Sequence, residues 1–431
     1  MKKTGKVVIS SMLILCMAIG LCGCTTYNNF KAAFFPGDKV AKEKTIKIGV
    51  YESMSGKNSQ QGKEEAMGIE LAHDMYHTVL GKEVELVYGD NQSNMYVGET
   101  VIQEVISQGP SVVLGSCGET VTLIASDYIK AANIPAITIS STNPLITTNN
   151  EYYFSATFTE TRQGDALADF AYTGHNKDVV ATVKAANDDS ATATIKRFTN
   201  RMKTLSGDSK SIVGSFTLPE EGTDYTEVIE QIRSSGAKAV FLAVTPATAQ
   251  TFLEQAVNLR LTHVMFLGGR SWNDEDFLNF VRSQDKLEIA YPSDFNQKVT
   301  TDMSAVFLQA YKTKYGQDEE PSEATAIAFD AYLLALKAIE DAYATSMETT
   351  EEDILNLFDN DASRKAALEE LTLTKETGIP SGKQIKAALA NISGFEGASG
   401  IISYNGKNEA NKSITINHIS GGMDLPTYMV N

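Results

Sequence analysis

Short β-rich runs alternate with helix-period stretches from Thr45 almost to the end of this 431-residue chain, and that alternation leaves few folds open. TIKIGV opens the series. GIELAHDMYHTVL, from Gly68, carries apolar residues at helical spacing, and KEVELVYGD alternates through Val84, Leu86 and Tyr88. VGETVIQEVISQ reads as a helix and SVVLG as the next strand. The pattern resumes with DVVATVKA, a helix through Ile195, Phe198 and Met202, and SIVGSFTL. TDYTEVIEQIRSSG follows, with Tyr225, Val228, Ile229 and Ile232 on one face and Gly236 at its end. KAVFLAV precedes TPATAQTFLEQAV, where Thr245 reads as the cap and Pro246 as the first helical residue, and HVMFLGG follows. Strand–helix alternation predicts parallel sheets with crossover helices. About ten such units are too many for one ordinary sheet, so two doubly wound lobes are expected. In open α/β sheets ligands bind beyond the carboxyl ends of the strands, and two facing lobes could close on a ligand about a hinge. Two long helices are predicted near Thr300–Tyr315 and Glu323–Ala344. TSMETTEEDILNLFDNDASRK reads as a polar surface insertion, and ASGIISYNG with KSITINHI as a closing hairpin.

The N-terminus carries a different signal. MKKTGK is basic, VVISSMLILCMAIG is apolar, and LCGC ends the run, which is the order of a secretory signal over residues 1–23. The apolar stretch is short of the roughly 20 residues of a membrane span. LCGC resembles the bacterial lipoprotein box. That resemblance implies lipidation of Cys24 as the first mature residue and a place on the outer face of the bacterial cytoplasmic membrane, in a cell-surface or periplasmic setting. Residues 24–44 show no period and read as a tether. Of the four cysteines, Cys16 and Cys22 leave with the signal, so only Cys117 remains beside Cys24 and no intrachain disulfide framework is possible. The formal charge of −17 argues against nucleic acid as a partner.

Several motifs occur in order: TIKIGVYESMSG, a glycine at Gly62, GIELAHDM, GKEVELVYGDNQS, VVLGSCGETVTLIASD, IPAITISSTNPLIT, FSATFTETRQG and, late, GFEGASGIISYNG. Together they resemble the type I periplasmic-binding-protein family, specifically the leucine/isoleucine/valine-type solute-binding proteins of ABC importers. The likeness runs from about Thr45 to His418. It implies an α/β fold of two doubly wound parallel-sheet lobes joined by a hinge. Lobe 1 would comprise 45–157 plus 294–398, and lobe 2 158–293 plus 399–431. It also implies capture of an amino acid or related small polar or anionic solute by a monomer that uses no cofactor or metal and works with an ABC permease. The alternative is a lipoprotein that reports solute to a membrane sensor or chemoreceptor.

Carried over residue by residue, the family's ligand contacts fall on Gln61, Glu119, Thr120, Ser140 and Thr142 in the first lobe. In the second they fall on Ser190, Thr245, Arg270 and Trp272, with Tyr291 near the lobe boundary. Ser140 and Thr142 have independent chemical support, because turn N–H groups and hydroxyls suit a carboxylate. ISSTNP can also be a plain turn begun by Asn143-Pro144. Glu119 stands where leucine-binding relatives carry a small hydroxyl residue, and Arg270 where they carry an acid. Three readings of Glu119 stay open: a capping box with Ser116 (S-x-x-E), a pair with Arg270, or a contact to a cationic or hydroxyl group of the ligand while Arg270 holds an anionic group. NDDSATAT, around Ser190, lacks the aromatic residue of relatives and implies a wider, wetter pocket. Trp272 is the only tryptophan, and core packing and ligand contact are both open to it.

Enzyme chemistry finds little support. HDMYH, from His73 to His77, departs from the zinc-protease pattern at Asp74, and Cys117 has no implied histidine partner.

Overall fold

The computed structural model describes residues 45–298 and 301–430, without the side-chain surroundings of residues 160 and 161. The expected signal, the tether and Cys24 lie outside the described residues. The chain divides into two compact units. The first contains the described part of Met1–Ser141, with Leu145–Ala156 and Thr300–Ala410. The second contains Thr142–Pro144, Thr157–Val299 and Asn411–Asn431.

In the first unit, β1 (Ile46–Glu52), β3 (Lys82–Asp90), β4 (Val112–Leu114), β5 (Ala136–Thr138) and β6 (Tyr153–Ser155) form a parallel sheet. β2 (Thr78–Val79) pairs antiparallel with β3 at one edge. The order is β2-β3-β1-β4-β5-β6. β1 is central, and Ile46, Ile48, Val50 and Tyr51 are all buried. In TIKIGV the apolar Ile46, Ile48 and Val50 alternate with Thr45, Lys47 and Gly49, and Lys47 is only half-buried. Each buried apolar side chain contributes about 1.5–3 kcal/mol by leaving water.

In the second unit, β7 (Val180–Lys184), β8 (Ile212–Thr217), β9 (Ala239–Ala243), β10 (Met265–Leu267) and β11 (Glu288–Ser293) are parallel. β15 (Ile414–Ser420) and β16 (Met423–Val430) extend the sheet antiparallel. The order is β16-β15-β11-β10-β9-β7-β8. β8 lies at an edge, and its residues alternate between half-buried and exposed, as an edge strand requires. Within each parallel set the order reverses once, between β1 and β4 and between β7 and β9. A doubly wound sheet opens its ligand crevice at such points.

The helices follow the sequence expectations closely. The helices expected near Thr300–Tyr315 and Glu323–Ala344 are Asp302–Tyr315 and Glu323–Glu348. Thr245 caps Pro246–Asn258 by accepting from the Thr248 N–H, and Gly236 ends Thr226–Ser235 in the left-handed region.

One expectation, the closing hairpin, is corrected. The polar stretch after Ala344 is mostly helical, as Glu351–Leu357 and Asp361–Thr377, the former closed by a Thr350–Asp353 capping box. The closing hairpin does not extend along KSITINHI, whose Ile414–Ser420 pairs with other strands. β13 (Gly400–Ser403) folds antiparallel onto β12 (Phe395–Gly397), while β15 lies between β11 and β16. The reason is Asp330, fully buried on the long helix, whose carboxylate accepts the N–H groups of Ala398 (2.6 Å) and Ser399 (2.8 Å). That acceptor pins the β12–β13 turn to the first unit.

The two compact units divide a few residues away from the expected lobe boundaries. The chain leaves the second unit at 299/300 and re-enters it at 410/411, rather than after 293 and 398. Residues 294–299 stay with the second unit because Asp294 and Asn296 bind Lys412 and Asn417 there. The strand β14 (Asn411–Lys412) begins the final return.

Candidate ligand-binding site

In the first unit the tips of β1, β4 and β5 carry a buried polar network. The Ser53 hydroxyl donates to Asn91 Oδ1 (2.7 Å), and Asn91 Nδ2 donates to Ser116 Oγ (2.8 Å). The Cys117 N–H donates to Glu52 Oε2 (3.0 Å). The Thr122 and Ser141 hydroxyls both donate to the Ser116 carbonyl, at 3.1 and 3.2 Å, and the Tyr153 hydroxyl donates to the Gly115 carbonyl at 2.6 Å. The turn after β4 is therefore held by β1, by the residue after β3, by the turn after β5 and by β6. Its end, Gly118, has φ = +92°, which a β-carbon would strain.

That turn aims the helix Glu119–Ala132. Its N-cap is Gly118, with no side-chain cap, so the Ser116–Glu119 capping box does not form. Ser116 is buried two residues before the N-cap, with its hydroxyl on the Cys117 carbonyl (2.9 Å), and Glu119 is the first helical residue. Glu119 and Thr120 are exposed at this N-terminus. Gln61 is exposed in the first turn of Ser59–Met75. That helix closes on the β1 tip at Gly62, where a β-carbon would meet the Ser53 carbonyl oxygen at 2.3 Å.

Ser140 follows β5. Its Oγ is buried and has no hydrogen-bond partner among the described residues, and the same holds for Thr138 Oγ1 at the end of β5. A buried hydroxyl left unpaired costs about 1–3 kcal/mol. Thr142 is half-buried and groups with the second unit.

In the second unit, Ser190 is exposed in the first turn of Asp189–Ser206, after β7, and Thr245 is exposed after β9. These are the tips flanking the order reversal of this sheet. Arg270 follows β10 and is half-buried. Its N–H donates to Gln163 Oε1 (2.9 Å), and its guanidinium donates through Nη1 to Thr157 Oγ1 (2.9 Å), over the Phe158 ring. The same Nη1 lies 3.3 Å from Asp294 Oδ2, and the Thr157 hydroxyl donates to that oxygen at 2.6 Å. Lys412 Nζ sits 2.8 Å from the other oxygen, with both side chains fully buried. Burial alone would raise the Asp294 carboxyl, but Lys412 and then Arg270 outweigh it and hold it below the usual carboxylate range. Sequence reading missed Thr157, Asp294 and Lys412, whose proximity depends on three distant segments.

Of the two roles open to Trp272, the structure shows core packing. The indole is fully buried beside Phe277, in the core of the second unit, and Nε1 donates to the Val244 carbonyl at 3.1 Å. Tyr291 is buried in the same core. The indole is expected to resist acrylamide quenching equally with and without ligand. Strong, ligand-dependent protection from quenching would place it back at the ligand. His73, from the HDMYH stretch, bonds the Val84 carbonyl (2.9 Å) and packs edge-on against Tyr332. Cys117 is buried, and burial pushes its thiol well up, the reverse of an activated nucleophile.

Comparison with known proteins agrees with this architecture. The family model described as periplasmic binding protein matches residues 45–416. A Leu/Ile/Val-binding protein homolog of Brucella abortus (strain 2308) is 24% identical over 226 residues, which is 51% of this chain and 56% of that protein. The chain thus spans about half the length of that curated relative. The branched-chain amino acid transporter substrate-binding protein LivJ of Streptococcus pneumoniae, solved with isoleucine, superposes with a TM-score of 0.65 at 23% identity, covering 90% of this chain and 99% of that one. A solute-binding protein of an ABC transporter from Rhodopseudomonas palustris HaA2, solved with p-hydroxybenzoic acid, gives 0.64 at 17%, covering 89% and 97%. Identities this low speak for a shared fold, whereas the family match spans both units. The chain belongs to the periplasmic binding protein family.

Proposed function

We propose that this chain is the extracytoplasmic solute-binding lipoprotein of an ABC importer, anchored through Cys24, and that it captures an amino acid or related small carboxylate. The observation that carries the binding reading is the Ser140 hydroxyl, buried and without a partner among the described residues at a strand tip. Two solutes named for the structural neighbours, isoleucine and p-hydroxybenzoic acid, share a carboxylate. Hydroxyls and helix N-terminal N–H groups are suited to that group. In this reading Gln61, Glu119, Thr120 and Ser140 of the first unit and Thr142, Ser190, Thr245 and Arg270 of the second take part in holding the solute. Trp272 and Tyr291 support it from the core.

A thermal-shift screen of amino acids, small carboxylates and amides tests the proposal. A true ligand at a hundredfold excess over its Kd stabilises by about 2.7 kcal/mol. Silence across these classes, with a hit among sugars or nucleosides, overturns it.

A further inference from the structure

Glu52 and Glu65 form an internal carboxyl pair that the ligand-binding reading does not use. Glu52 ends β1, and Glu65 lies on the helix Ser59–Met75. Both are fully buried, on elements that close on each other at Gly62 and Ser53, and Glu65 acts on the Glu52 carboxyl. Glu52 Oε2 accepts the Cys117 N–H at 3.0 Å and lies 3.4 Å from the Ser116 hydroxyl. The pair is thus one hydrogen bond from the turn that aims Glu119–Ala132.

The ionisable groups facing the pair are Tyr51 on β1, Cys117 on the turn and Tyr153 on β6. All three are neutral near pH 7, because burial raises each of them. The groups that act on Glu52 are Glu65 and Cys117, and neither is a cation. Two interacting carboxylates in a dry interior cannot both ionise, so the pair retains a proton. Burial first, and then the charge of Glu65, push the Glu52 carboxyl well above its ordinary 4.5.

We propose that Glu52 and Glu65 are a proton-sharing positioning pair: the retained proton lets Glu52 hold the Cys117 N–H and so fixes the Gly115–Gly118 turn. Loss of that proton sets two negative charges against each other behind the turn. The consequence for affinity rests on the reading that this turn and Ser140 face the solute.

The sign follows from linkage. A carboxyl raised in the folded state is protonated there while its unfolded counterpart is ionised. Its contribution to stability is therefore full below the unfolded value, near 4.5, and declines as pH rises above it toward the raised folded value.

The test compares the purified protein with Glu65→Gln and Glu52→Gln. Each amide is isosteric, carries no proton to lose and can donate to the remaining carboxylate. Hydrogen exchange of residues 115–119, corrected for the intrinsic pH dependence of exchange, is measured from mildly acidic to alkaline pH. The wild type is expected to lose at least about tenfold in protection as pH rises, equivalent to one pKa unit of coupling. Both variants are expected to keep a flat profile. A flat wild-type profile, or variants that follow the wild type, overturns the pair as a proton-dependent device. A variant that fails to fold is replaced by the other, and the wild-type profile alone can still refute the idea. Affinity for a solute found by the screen is then measured over the same range. If protection of the turn tracks pH while affinity does not, the positioning pair stands and the ligand reading of the turn fails.

Discussion

Replacement of Asp294 by alanine is expected to lower the stability of the second unit by about 3–5 kcal/mol, because it leaves the buried Lys412 ammonium without its counter-ion. Asp294 also joins Arg270 and Thr157, so the loss removes an acceptor from each of them as well. Denaturant unfolding measures the effect. The double variant Asp294→Leu/Lys412→Met separates charge from packing. Removing both charges is expected to recover most of the loss, since an apolar pair of similar volume is often neutral or stabilising. An Asp294→Ala protein within about 1 kcal/mol of wild type, the range of a surface pair, would show that the cluster is energetically idle. The pH dependence has a fixed direction. A carboxyl held below its ordinary value contributes stability that is complete above its unfolded value, about 3.9, and is lost as pH falls through the lowered folded value. The wild type is expected to lose this contribution on acidification, and Asp294→Asn to lack that part of its acid limb.

Arg270→Ala is expected to weaken binding of the true solute at least tenfold, about 1.4 kcal/mol. The guanidinium is oriented by Thr157 and Asp294, and the Gln163 carboxamide holds its own backbone N–H. An oriented cation of this kind loses little freedom when it meets an anionic group. Arg270→Lys separates charge from shape: it keeps the charge but not the fork, and is expected to recover only part of the affinity. Calorimetry with a solute from the thermal-shift screen gives both values. Stability of each variant is measured in parallel, since Arg270 also supports Asp294. An unchanged Kd for Arg270→Ala removes Arg270 from the site and leaves its role in the ion cluster intact.

Much of this arrangement was readable along the chain because its causes are local. Periodicity in KAVFLAV and TPATAQTFLEQAV set β9 and the following helix, and Thr245-Pro246 set the point between them. Ser140 could be named from IPAITISSTNPLIT because a hydroxyl-rich turn after a strand places donors at a sheet tip. For Glu119 the sequence left three readings open, one of them a capping box. S-x-x-E has the spacing of a capping box, but the spacing is blind to Asn91, Glu52 and Ser141, which draw Ser116 into the interior and leave Gly118 to start the helix. Trp272 was ambiguous for a related reason. An indole after a strand can face either side of a turn, and the Val244 carbonyl and Phe277 decide between them.

By itself, the sequence determined the strand–helix alternation, the helix starts and stops, and the family. These depend on residues a few positions apart, where backbone propensity and side-chain period act directly. Tertiary structure alone decided that Asp294 meets Lys412 and Arg270, that Asp330 pins the β12–β13 turn, and that Glu52 and Glu65 share the interior behind the Gly115–Gly118 turn. Each of those meetings joins residues from separate segments and balances desolvation against charge. That balance exists only once the surrounding water has been excluded.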